Sequence, residues 1–110
     1  MRKIIYGGTA IFTGDRIADA ILDAGAALAG ASQAAVIEFP GRDASGELRE
    51  LRLLLGPASQ MVTEDVDIEW PEILSPETVA HLGDLTADLT TLPDFALPTF
   101  GDQEDERGSS

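Results

Sequence analysis

DRIADAILDAGAALA, Asp15 to Ala29, is the stretch whose reading decides the fold. Ile17, Ile21, Ala24, Gly25 and Leu28 recur at steps of three and four residues, which a helical period gathers on one face, while Asp15, Asp19 and Asp23 fall on another. The spacing predicts an amphipathic helix whose apolar face needs a cover. β-prone segments flank it on both sides and are the only sizeable apolar surfaces available. The expected fold is therefore α+β: an antiparallel sheet built as hairpin, helix, strand group and helix, packed on the helix of residues 15–29.

Upstream, Lys3 to Tyr6 and Thr9 to Phe12 are short β-prone pieces joined by Gly7-Gly8, a favoured two-residue hairpin loop because both positions accept positive φ. The same glycines could suggest a phosphate loop, but GGTAIFTG has neither GxGxxG nor GxxxxGK[ST] spacing. Thr13-Gly14-Asp15 offers N-cap candidates and Gly30 a stop. Gly25, inside the helix, marks either the close approach of a strand backbone or a tolerated small residue.

Downstream, Ala35 to Phe39 reads as a strand, Pro40 to Gly46 as a loop and Glu47 to Leu55 as the returning strand, with Leu51, Leu53 and Leu55 on one parity and Glu50 and Arg52 on the other. A helix over Leu48 to Leu55 competes, but the loop before it and Gly56-Pro57 after it leave too short a run. Ser59 to Val62 continues as a third strand, Thr63 to Asp65 as a polar connection, and Val66 to Trp70 as a half-buried edge piece whose apolar residues alternate with Asp67 and Glu69. Ser75-Pro76-Glu77 is a helix start, and Val79, Leu82, Leu85, Thr86 and Leu89 form its apolar stripe. Residues 1–92 thus make one small domain, and residues 93–110 an extended, then disordered acidic tail.

Hydrophobic residues make up 44% of the chain and charged residues 25%, as in ordinary soluble domains, while aromatics at 5% imply an aliphatic core. There is no cysteine, hence no disulfide, thiolate nucleophile or Cys-based metal site, which fits a reducing cytoplasm. Acids break up the apolar run that follows Met1-Arg2-Lys3, so no signal peptide or membrane span is expected. Of the net charge of −13, residues 1–55 carry seven acids and six bases, and residues 56–110 thirteen acids and one base. That field repels phosphate backbones, so direct nucleic-acid binding is disfavoured and a basic protein partner is allowed.

Candidate chemistry is sparse. Asp65, Asp67 and Glu69 would share a face on a strand and could offer oxygen ligands to a divalent cation, although a solvated strand face explains them as well and no EF-hand spacing is present. His81 lies off the second apolar stripe, toward Asp84 and Asp88, and no serine sits in a nucleophile elbow to need it as a base. Lys3 has no Schiff-base or nucleotidyl-transfer setting. Arg42, Arg49 and Arg52 are diluted by Asp43, Glu47 and Glu50, which suits ion pairing across strands better than nucleic-acid contact.

The order of Tyr6-Gly7, the Asp15-Arg16 helix opening, the leucine run Leu53 to Pro57, a last short helix and the prolines Pro93 and Pro98 resembles a family of small uncharacterised actinobacterial proteins. The chain departs from that family in its small residues from Ala27 to Ala35 and in placing Trp70 before the last helix. The resemblance implies a compact α+β domain and brings no activity, cofactor or site residues. The expected function is a non-enzymatic protein-interaction or accessory module without a cofactor. The alternatives are an acidic regulator of a basic nucleic-acid-binding protein and a carboxylate-based cation binder. The edge near Val66 to Trp70 offers a surface for a second copy.

Overall fold

A computed structural model describes residues 1–58 and 60–90. Strands β1 (Arg2–Tyr6) and β2 (Thr9–Thr13) form the first hairpin, and helix α1 (Asp15–Gly30) follows. Strands β3 (Ala35–Arg42) and β4 (Leu48–Leu55) form the second hairpin, after which come β5 (Met61–Asp65) and helix α2 (Pro76–Thr90). The sheet is antiparallel throughout and its order is β4-β3-β2-β1-β5. The α+β architecture expected from residues 15–29 is the one observed.

Its core explains why. Ile17, Ala18, Ile21, Ala24 and Leu28 of α1 are buried against Ile4 of β1, Ile37 and Phe39 of β3, and Leu53 and Leu55 of β4, so strands from both flanks cover the helix. Leu82 of α2 and Ile73 of the preceding connection complete the cluster. Gly25 meets the Leu55 Cδ1 methyl, 3.8 Å from where a Cβ would sit, so the neighbour there is a side chain and not a strand backbone.

The Gly7-Gly8 turn holds both glycines at positive φ, 59° and 82°, as a tight hairpin requires. At the start of α1, Gly14 caps without a side chain, and Glu72 supplies what is missing: its Oε2 accepts from the Asp15 N–H at 2.7 Å. Gly14 is pressed so closely on the Ile73 carbonyl that a Cβ would lie 1.9 Å from that oxygen. At the far end Ser32 takes a left-handed φ of 54°, and the Gln33 N–H returns to the Leu28 carbonyl at 3.0 Å. In α2 the Ser75 hydroxyl accepts from the Thr78 N–H, as its capping position predicts.

Three boundaries differ from the sequence reading. Strand β3 continues through Pro40, Gly41 and Arg42, which had the look of a loop, because Pro40 needs no donor on the side it turns away from β4 and its carbonyl accepts from the buried Thr13 hydroxyl at 2.8 Å. The third strand is Met61–Asp65 and not Ser59 to Val62, since Thr63, Glu64 and Asp65 pair with Ile4, Lys3 and Arg2. It lies beside β1, at the opposite edge of the sheet from β4. Val66 to Trp70 keeps the alternation of half-buried and exposed residues but joins no ladder, so it is not an edge strand. The tail expected over residues 93–110 lies outside the described residues.

Gly14→Ala should lower stability by about 2–3 kcal/mol, because the added methyl meets a backbone carbonyl that cannot move alone. Gly83→Ala, on an open face of α2 with no atom within 4 Å of the new methyl, should raise it by about 0.5–1 kcal/mol. Urea unfolding of the two variants beside the parent checks both signs.

Candidate functional site

Ladder register sorts the strand residues of the second hairpin onto two faces. Ile37, Phe39, Leu53 and Leu55 point into the core, and Val36, Glu38, Glu50, Arg52 and Leu54 point outward. Val36 and Leu54 are directly opposite each other and both 59% exposed, and one step along the hairpin Glu38 faces Arg52, with the ion pair closing at 3.4 Å. Helix α2 runs beside this surface. Glu77, Thr78 and His81 of α2, together with Val36, Glu38, Glu50 and Arg52, enclose an open depression of about 610 Å³. His81 therefore faces the hairpin's glutamates and arginine as well as its own helix, a convergence that neighbouring positions in sequence could not reveal.

The hairpin tip is rigidly built. The Asp43 carboxylate accepts from the Ser45 hydroxyl at 2.5 Å, from the Arg49 Nε at 2.9 Å, and from the backbone N–H groups of Ser45 and Glu47 at 2.9 and 3.1 Å. These donors, the Ser45 hydroxyl foremost and the Arg49 guanidinium next, hold its carboxyl well below the usual aspartate range. Trp70 lies against Gly46 of the tip and meets the Phe12 ring edge to face, with centroids 5.2 Å apart, so the segment before α2 ties the tip to β2.

The carboxylates considered for a cation are not brought together. Asp65, at the end of β5, pairs with the Arg2 guanidinium, which also holds Asp19 at 2.6 Å. Asp67 and Glu69 are exposed on the irregular connection. Among the described residues no group of three His, Asp or Glu side chains is placed to hold a metal ion. Lys3 reaches Glu64 at 4.0 Å, Arg49 serves the tip, and Arg42 donates to the Gly46 carbonyl at 2.9 Å, so these three basic residues are engaged within the fold. No helix among the described residues is long and apolar enough to cross a membrane.

Comparison of the chain with protein-family models, curated proteins and solved structures finds no match. Its surface is therefore read from its own residues.

Asp43 yields a pH dependence. Its pKa is depressed in the folded state, so its contribution to stability is present above the ordinary aspartate range and is lost as the pH falls below that range toward the folded value. Carboxyl NMR titration should show Asp43 still ionised below the ordinary aspartate range, and Asp43→Asn should abolish its share of the stability lost in acid.

Proposed function

We propose that the protein is a non-enzymatic interaction module whose binding surface is the outward face of β3 and β4 with the depression beside α2. One observation carries the reading: Val36 and Leu54 form an apolar cross-strand pair, one position in from the end of a regular ladder, yet both stand in solvent. Covering such side chains is worth up to roughly 1.5–3 kcal/mol each, which makes them anchors for a partner. Around them Glu38, Glu50 and Glu77 outnumber Arg52, so the complementary surface carries apolar side chains flanked by basic ones. The net charge of −13 favours a second reading, an acidic regulator that holds a basic nucleic-acid-binding protein by charge alone.

Cross-linking mass spectrometry on native lysate, with the parent chain and with Val36→Asp, separates the two. Expected is a set of partners retained at high salt by the parent and lost from the variant, whose circular dichroism is unchanged. Partners released by salt but indifferent to Val36→Asp would point to the regulator. Partners indifferent to both changes would overturn both readings.

A further inference from the structure

We propose that a second copy of this chain pairs with the free edge of β4, in one register, to join two sheets about a twofold axis. This goes beyond the partner-binding reading, since it concerns the backbone edge of the sheet rather than its outward face.

The orientation of the edge follows from the ladder. The Asp43 N–H donates to the Glu47 carbonyl, so odd-numbered residues of this hairpin exchange hydrogen bonds with one another across the pair. The even-numbered residues of β4, Leu48, Glu50, Arg52 and Leu54, must then turn their N–H and C=O groups away from β3. The Leu54 carbonyl confirms this, because it accepts from the Tyr6 hydroxyl outside the ladder. Among the described residues no strand lies beyond β4, and no backbone group meets those of Leu48, Glu50 and Arg52. This edge carries no lysine, proline or bulge, three of the usual protections against pairing, and its charges are of both signs.

Twofold antiparallel pairing allows only registers in which a residue faces its own mate or its mirror across the axis. Centred on Leu51, the register sets Glu50 opposite the second copy's Arg52 and Arg52 opposite its Glu50. Leu48 and Leu54 then face the second copy's Leu54 and Leu48. All four are even-numbered, so their backbone groups are turned toward the second copy, the Leu54 carbonyl excepted because Tyr6 holds it. Moving the centre to Glu50 or to Arg52 sets like charges face to face on the axis. The side chains are free to take up these contacts. Leu48 and Leu54 are 55% and 59% exposed, and Glu50 meets no cation among the described residues. Among the described residues Arg52 holds only Glu38, and it can bridge Glu38 to the incoming glutamate. The bound Leu54 carbonyl leaves Glu50 and Arg52 as the centre of the new ladder.

Charge exchange tests the register. By analytical ultracentrifugation the parent chain should be a dimer, and Glu50→Arg alone and Arg52→Glu alone should each weaken dimerisation by about tenfold or more, because each places two like pairs across the axis. An equimolar mixture of the two variants should recover dimer, since Arg at position 50 of one then faces Glu at position 52 of the other. A parent chain that is monomeric at high micromolar concentration, or a dimer indifferent to both substitutions, overturns the proposal. If a variant fails to fold, amide exchange of the parent decides instead. Protection of Leu48, Glu50 and Arg52 that rises with protein concentration supports the pairing, and protection independent of concentration overturns it.

Discussion

The sheet holds together across a narrow seam. Strands β2 and β3 pair at a single position, Phe12 with Arg42, and the buried Thr13 hydroxyl continues the contact by donating to the Pro40 carbonyl. Gly41, at the seam, has no room for a side chain: a Cβ would stand 2.8 Å from the Leu51 Cδ1 atom and 3.2 Å from the Phe12 carbonyl oxygen. Because the ladder stops there, the rest of the second hairpin is free of β2, and its far end reaches β1, where Tyr6 meets Leu54. That return lets Ile4, Phe39 and Leu55 close on α1 from separate strands. A continuous β2–β3 ladder would hold the hairpin alongside β2 and leave the helix covered from one flank only.

The same seam explains what could be read from the chain and what could not. The helix of residues 15–29 was legible because its signal is local: the period of Ile17, Ile21, Ala24 and Leu28 is itself the buried face. The hairpin glycines and the Ser75-Pro76 start were legible for the same reason. Pro40 and Gly41 misled because both are turn residues by local rule, whereas here one supplies a carbonyl to Thr13 and the other permits contact with β2. Whether Val66 to Trp70 lies in a sheet depends on a partner, and its alternation in burial is real without one. Nothing in the residues from Ser59 onward announces that β5 joins β1 instead of its sequence neighbour β4. The surface beside α2 was illegible in kind, since Val36, Glu50 and His81 meet only through tertiary placement.

Charge is distributed in keeping with this architecture. The N-terminal cations of β1 are held inside the fold, Arg2 by Asp19 and Asp65 and Lys3 by Glu64, which ties β5 and α1 to β1 through three carboxylates. Asp43 gathers Ser45 and Arg49 to lock the tip of the second hairpin. What remains in solvent is acidic on α2, where Glu77, Asp84 and Asp88 have no cation among the described residues, and mixed on β4.

The two edges of the sheet are consequently unlike. On β5 the acids Glu64 and Asp65 answer the cations of the adjacent strand, so its charge is satisfied within one chain and a second β5 would bring only more acid. On β4 the sequence Leu48-Arg49-Glu50-Leu51-Arg52-Leu53-Leu54 places opposite charges two residues apart on one face, with a leucine beyond each. Within the hairpin only Arg52 of that pair finds a counterion, and Glu50 stands opposite Pro40, which offers none. A strand whose charges are half satisfied by its own neighbour and symmetric about its centre is complementary chiefly to itself. That asymmetry between edges, rather than exposed apolar area alone, is what distinguishes β4 as a surface for association.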